Sequence, residues 1–223
     1  MTENSRRTAP SALLRSNPVI AVLRASAPED DDAVIEVLVE NGVRSIELTL
    51  STPGTLEHLP GLVARVGSAA EIGIGTVTST AQAQRAIAGG AAYLVTPVVR
   101  PEVIAVAVDA GVPIYPGGLT PTELFTAWEA GASAVKVFPA ETVGPQFGGH
   151  LRGPFPDIEF VPSDGVALDD IESWLRAGAV AVSLGGPLVG DALKGGSLDA
   201  LAERARTAVS IASAALGTMG GAR

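Results

Sequence analysis

Short runs of β-branched and other apolar residues recur along the whole 223-residue chain, spaced so that one helix and two short loops fit between successive runs. The runs are Val19–Arg24, Ser45–Leu50, Glu71–Val77, Tyr93–Pro97, Pro113–Gly118, Ala134–Ala140, Glu159–Gly165 and Ala181–Gly186, and their starts lie 26, 26, 22, 20, 21, 25 and 22 residues apart. Between them stand Ala/Leu/Glu-rich segments of helical length, such as Asp30–Glu40, Ala81–Ala88, Glu102–Asp109, Glu123–Glu129 and Asp169–Arg176. Five helical segments end on glycine followed by a small or β-branched residue: Gly42-Val43, Gly90-Ala91, Gly111-Val112, Gly131-Ala132 and Gly178-Ala179. Glycine there supplies the left-handed turn that stops a helix and redirects the chain. Thr120-Pro121-Thr122-Glu123 reads as a helix start, with an N-cap hydroxyl, Pro at the first helical position and Glu at the third. Eight strand–helix units without a change of composition predict one α/β domain, a (β/α)8 TIM barrel. A doubly wound open sheet is the alternative. It calls for a glycine-rich turn after the first strand, where this chain has Arg24-Ala25-Ser26-Ala27-Pro28-Glu29.

The expected organisation is a disordered N-terminus over residues 1–10, the barrel over 11–217 and a frayed tail over 218–223. Ser11–Ser16 is expected to form a short helix lidding the barrel bottom, and Ser197–Leu216 a closing amphipathic helix. No run approaches the ~20 apolar residues needed to span a bilayer, and residues 1–10 lack the apolar core of a secretory signal, so a soluble, cytoplasmic protein is predicted. The absence of cysteine removes disulfides, thiolate nucleophiles and Cys-based metal sites, and the two isolated histidines, His58 and His150, offer little to a metal or a triad. A net charge of −9 without basic runs argues against a nucleic-acid surface. His58, His150, Trp128 and Trp174 are read as surface or packing residues.

In such a barrel the functional groups lie where the strands end, so polar residues late in a strand are the candidates. Alternation turns Ile46, Leu48 and Leu50 toward the helices, and therefore Ser45, Glu47 and Thr49 inward. It likewise turns Ala134, Lys136 and Phe138 inward and Val135 and Val137 outward. Ile72, Ile74 and Thr76 share one side of the third run, while Arg24 closes the first and Pro97 the fourth. An acid, a lysine, an arginine and a threonine are thereby expected at one mouth. The chain has only two lysines. Lys194, in a Gly-rich polar stretch, reads as solvated; Lys136, in an apolar run, needs a reason.

A buried lysine is costly in its charged form, so it is paired with a carboxylate or driven toward the neutral amine. A neutral amine attacks carbonyls, and the resulting iminium accepts electrons when a neighbouring carbon–carbon bond breaks. Glu47 can move the protons such a sequence requires, Arg24 can hold a substrate carboxylate, and Thr76 adds a hydroxyl. A second reading stays open on residue type alone: Glu47 and Lys136 as a structural ion pair, Arg24 as a surface cap and Phe138 as core.

Several segments in order, PVIAVLRA (18–25), NGVRSIELTLSTP (41–53), IGIGTVTS (72–79), YLVTPVV (93–99), PIYPGGLTPTEL (113–124), AVKVFPAETVGPQF (134–147) and GPFPDIEFVPSDGV (153–166), resemble the 2-keto-3-deoxy-6-phosphogluconate (KDPG) and 2-keto-4-hydroxyglutarate (KHG) aldolase family. The resemblance spans roughly Val19 to Val189. It implies a class I aldolase, a lyase, on a (β/α)8 barrel, a homotrimer with no metal and no organic cofactor, whose partners are small molecules rather than nucleic acid or membrane. Carried over by position, Lys136 looks like the Schiff-base lysine and Glu47 like the general acid/base. Arg24 and Thr76 look like contacts to the pyruvate end, and Pro97 and Phe138 like pocket walls. The implied reaction cleaves a 2-keto-3-deoxy sugar acid to pyruvate and an aldehyde, glyceraldehyde 3-phosphate in the commonest case.

The departures from the family pattern fall at the aldehyde end. Ser51 stands where many members have Arg. Ser163-Asp164-Gly165 replaces the usual Thr-Gly-Gly phosphate cradle, and two unit charges ~5 Å apart at an effective dielectric of ~20 repel by about 3 kcal/mol. Leu184-Gly185-Gly186-Pro187 puts Pro where a phosphate-binding Ser usually stands, removing a hydroxyl and an amide donor together, although Gly185 and Gly186 retain theirs. An alternative expectation follows: retained pyruvate chemistry with an unphosphorylated acceptor, as in 4-hydroxy-2-oxoglutarate. A catalytically silent, sugar-acid-binding barrel is the third reading.

Overall fold

Eight short parallel strands alternate with helices in the computed structural model, which describes residues 7–220. The strands are β1 (Val19–Leu23), β2 (Ser45–Thr49), β3 (Glu71–Gly75), β4 (Leu94–Thr96), β5 (Ile114–Gly118), β6 (Val135–Val137), β7 (Phe160–Pro162) and β8 (Val182–Leu184). They pair in the order β7-β6-β5-β4-β3-β2-β1-β8, and a bridge between Ser163 and Ser183 joins the two ends. The result is the predicted (β/α)8 barrel. Each strand is shorter than the run read for it, and the chain leaves the ladder before Arg24, Thr76, Pro97 and Phe138. The candidate side chains at those positions therefore project from the loops just beyond their strands.

The helices are α1 (Ala12–Ser16), α2 (Asp30–Glu40), α3 (Thr55–Val66), α4 (Thr80–Ala88), α5 (Pro101–Asp109), α6 (Pro121–Glu129), α7 (Gln146–Arg152), α8 (Ile171–Arg176), α9 (Gly186–Val189) and α10 (Leu198–Gly220). The N-cap read at Thr120 is present as a reciprocal pair with Glu123, and Pro121 opens the helix. All five pre-strand glycines have positive φ, from 68° at Gly111 to 101° at Gly131, which an L side chain adopts only with strain. The segment expected as one helix over Asp169–Arg176 begins instead as a 3-10 turn at Leu168–Asp170. Two further helices, α3 and α7, fill strand-to-strand intervals for which no helical segment was named. Pro60 lies inside α3 and Gly148-Gly149 inside α7, and a side chain at Gly148 would overlap the Phe160 ring. No helix of the described residues is long and apolar enough to cross a membrane.

Two apolar layers position the site. Outward residues such as Ala21, Leu23, Ile46, Leu48, Ile74, Val135, Val137 and Val182 pack against the helices. Inside the barrel, Leu14, Ile20, Tyr93, Val95, Tyr115, Ala134, Val161 and Ala181 form a separate plug. Leu14 comes from α1, which is capped by Ser11 and closes the bottom as expected. The plug fills the lower barrel and leaves the upper part for polar groups.

Residues 1–6 and 221–223 of the expected disordered start and frayed tail lie outside the described residues. Within the same segments, Arg7 donates to the carbonyls of Trp128 and Ala132 and stacks 3.3 Å from the Trp128 ring centroid, and α10 continues to Gly220. Of the residues read as surface or packing, Trp174 is buried edge-on to Phe160, and His58 lies 2.9 Å from Asp32.

Candidate active site

A cavity of about 630 Å³ opens where the strands end. Its floor carries Glu47 from β2 and Lys136 from β6, which are only 2% and 8% exposed. The register sets Glu47 between Val22 of β1 and Gly73 of β3, and Lys136 between Gly117 of β5 and Val161 of β7. Two of the glycines in these strands are required by close approach. A side chain at Gly75 would overlap the Glu47 carboxylate, and one at Gly117 would lie 2.7 Å from the Thr96 carbonyl oxygen.

Burial above the apolar plug raises the pKa of Glu47, and the positive charges of Lys136 and Arg24 partly offset that rise. The proton affinity of this carboxyl is thus above that of an ordinary surface glutamate. Lys136 Nζ lies 4.8 Å from the Phe138 ring centroid, so the aromatic face forms the wall beside the amine.

Every residue singled out as a candidate lines this one cavity: Lys136 and Glu47, Arg24, Thr76, Pro97 and Phe138, and Ser163, Asp164, Gly165, Gly185 and Gly186. Thr76 arrives there by a route alternation does not describe. Ile72 and Ile74 face the helices, so a threonine on their side would point away from the barrel. The chain instead leaves β3 at Gly75, and Thr76 adopts φ 61°, which carries its side chain to the mouth. Positive φ is unusual for a β-branched residue and stores strain at the cavity wall.

The loops after β7 and β8 form the rest of the wall. Asp164 and Gly165 both have φ 73°, so the aspartate keeps a backbone shape suited to glycine. The Asp164 side chain is exposed, while the Ser163 hydroxyl is buried and donates to Ser183 Oγ at 3.4 Å. Pro187 lies in the wall beside Gly185 and Gly186. Ser51, the other departure, hydrogen bonds to Thr49 Oγ1 at 2.9 Å.

Sequence reasoning did not include Val22, Val166, Val189, Gly190, Leu193 or Lys194 in the site, and all six line the cavity. Lys194, read as a solvated lysine, is exposed, and it stands on the 3-10 turn Ala192–Lys194 at the cavity rim. Its Gly-rich surroundings carry no periodicity, so no pattern marks the direction in which it points. Among the described residues, no three His, Cys, Asp or Glu side chains cluster as metal ligands.

Residues 11–203 match the family described as KDPG and KHG aldolase. The chain belongs to that family. It is 36% identical over 172 residues to the 2-dehydro-3-deoxy-6-phosphogalactonate aldolase of Escherichia coli strain K12, covering 77% of this chain and 84% of the relative. A solved structure described as native KDPGal superimposes with a TM-score of 0.83 at 33% identity, over 90% of this chain and 96% of that one. A KDPG aldolase from Legionella pneumophila, with pyruvate captured as a covalent carbinolamine, superimposes with a TM-score of 0.80 at 27% identity, over 89% and 97% of the two chains. As a KDPG and KHG aldolase family member the chain is an enzyme, a lyase of the aldolase type.

Proposed function

We propose that this aldolase works through a Schiff base on Lys136 and cleaves a KDPG-like 2-keto-3-deoxy sugar acid to pyruvate and an aldehyde. The observation that carries the reading is a lysine amine and a carboxyl of raised pKa, both buried on the floor of one cavity, with an arginine at its mouth. Lys136 Nζ adds to the C2 carbonyl, and the carbinolamine loses water to give an iminium. A base removes the C4 hydroxyl proton, the C3–C4 bond breaks, and its electron pair passes into the iminium to form an enamine as the aldehyde departs. Protonation at C3 and hydrolysis release pyruvate and regenerate the amine. Glu47 shuttles these protons, its raised pKa letting it act as an acid as well as a base. Arg24 holds the C1 carboxylate and Thr76 donates a hydroxyl contact. Pro97 and Phe138 wall the reacting carbons. The reading requires no metal or organic cofactor, and it places the enzyme in the cytoplasm as a homotrimer.

A second reading concerns the acceptor only. Asp164 and Pro187 both lie in the cavity wall, which favours an unphosphorylated acceptor such as that released from 4-hydroxy-2-oxoglutarate. Both readings are tested by pyruvate release, coupled to lactate dehydrogenase, from KDPG, its galactonate epimer and 4-hydroxy-2-oxoglutarate in the presence of EDTA. Chelator-insensitive turnover of at least one is expected. A folded protein that binds these acids without cleaving any is the silent barrel, and the proposal is then wrong.

A further inference from the structure

Nearly all of the basic side chains among the described residues are already engaged. Arg15, Arg65, Arg85, Arg100, Arg176 and Arg206 pair with carboxylates. Arg7, Arg44, Arg152 and Arg204 donate to backbone carbonyls. The remaining three, Arg24, Lys136 and Lys194, have no such hydrogen bond or ion pair, and all three line the cavity. Two of them already have work at the pyruvate end. The third does not.

Lys194 is mounted firmly although its side chain is exposed. Its amide donates to the Asp191 carbonyl at 2.8 Å, the Gly196 amide donates to the same oxygen at 3.0 Å, and neighbouring Ala192 is buried in the outer core. Leu193, between them, also faces the cavity, so the turn as a whole forms wall. A substrate whose C2 is joined to Lys136 on the floor must extend its other end toward the rim, where Lys194 stands. There Pro187 supplies no amide donor and Asp164 supplies negative charge, so Lys194 is the cation that the wall at that end offers an anion.

We infer that Lys194 is a specificity-determining residue that holds the terminal anion of the aldehyde half, a phosphate monoester or a carboxylate. The inference rests on the Lys136 reading of the site. Its chemistry accommodates KDPG, which ends in phosphate, and 4-hydroxy-2-oxoglutarate, which ends in carboxylate, and it disfavours a neutral hydroxyl terminus.

The test measures kcat and KM for KDPG, 4-hydroxy-2-oxoglutarate and unphosphorylated 2-keto-3-deoxygluconate with the wild-type enzyme, Lys194→Met and Lys194→Arg. In Lys194→Met the ratio of kcat/KM for the better anion-ended substrate over the neutral-ended one is expected to fall at least tenfold, chiefly through KM, with Lys194→Arg restoring most of it. The anion-ended substrate that loses more identifies the natural terminus. An unchanged ratio, an equal loss on all three substrates, or a wild-type enzyme that prefers the neutral-ended acid or turns over none overturns the inference. Borohydride trapping of pyruvate on the same variants separates the two levels: an adduct on Lys136 with an unchanged ratio sinks Lys194 alone, whereas no adduct sinks the Schiff-base reading beneath it.

Discussion

The floor and the rim of the cavity are built differently. Glu47 and Lys136 stand on strands of the barrel and are almost fully buried, with glycine required at Gly75 beside the Glu47 carboxylate and at Gly117 beside the Thr96 carbonyl. Asp164, Pro187 and Lys194 stand on the connections after β7 and β8, with exposed side chains and open space beside Gly185 and Gly186. A buried floor fixes geometry and shifts proton affinity, as carbon–carbon bond cleavage requires. An exposed rim tolerates substitution at little cost in stability, so it is where the acceptor can change while the pyruvate chemistry stays constant. Ser51, Asp164 and Pro187 all lie in the connections that follow strands, and none on the strands of the floor.

The largest effect that could break this division is at Lys136. Lys136→Met is expected to lower kcat by about 10⁴-fold or more on every substrate, because no other group replaces a covalent nucleophile; retention of a tenth of the activity with any of them contradicts the assignment. Glu47→Gln is expected to lower kcat by roughly 10²- to 10⁴-fold. It also has a signature in stability. The pKa of Glu47 is raised in the folded state, so ionising it destabilises the fold progressively as pH rises above the unfolded value of roughly 4.3. The variant should therefore melt higher than wild type at pH 8 and together with it near pH 4, which thermal melts across that range will check.

Asp31, in the first turn of α2, provides a comparison outside the cavity. It is buried with one oxygen lacking a partner, and burial together with Asp30 and Asp32 raises its pKa to about 7. Its folded pKa also exceeds the unfolded one, so stability is lost between about pH 4 and pH 7 and stays low above. Asp31→Asn should gain about 2 kcal/mol by chemical denaturation at pH 8 and almost nothing at pH 4, with an unaltered kcat. A change in the kcat–pH profile would show that the two carboxyls are not separable as described.

At the rim, Asp164→Gly combined with Pro187→Ser should raise the preference for phosphorylated over unphosphorylated substrate about tenfold, less than the ~3 kcal/mol of a fully formed charge repulsion because the aspartate is exposed. If the preference does not move, these two residues do not set it. The smallest expected effect is at Thr76. Thr76→Asn places a residue better suited to φ 61° there, and a gain of about 1 kcal/mol with a lower kcat/KM is expected from paired denaturation and kinetic measurements.

What could be read from sequence divides along the same line. Lys136 and Glu47 were legible because period-two alternation and the cost of burying charge operate on strands, and both leave a mark in residue order. The barrel was legible for a similar reason, in the recurring glycines before strands. Thr76 was placed at the mouth by extending that alternation one step too far; the positive φ after Gly75 brings it there instead. Lys194 was missed because a Gly-rich loop has no period from which direction can be inferred. α7 was not among the helical segments named, and Gly148 within it is small so that its helix can approach Phe160.

The proposed mechanism turns on a covalent bond between Lys136 and the substrate. Incubating the purified protein with pyruvate and sodium borohydride, then mapping the modified peptide by mass spectrometry, tests it most directly. A reduced pyruvate adduct on Lys136, lost in Lys136→Met, is expected. No adduct in a folded protein, or one on Lys194 instead, would contradict it.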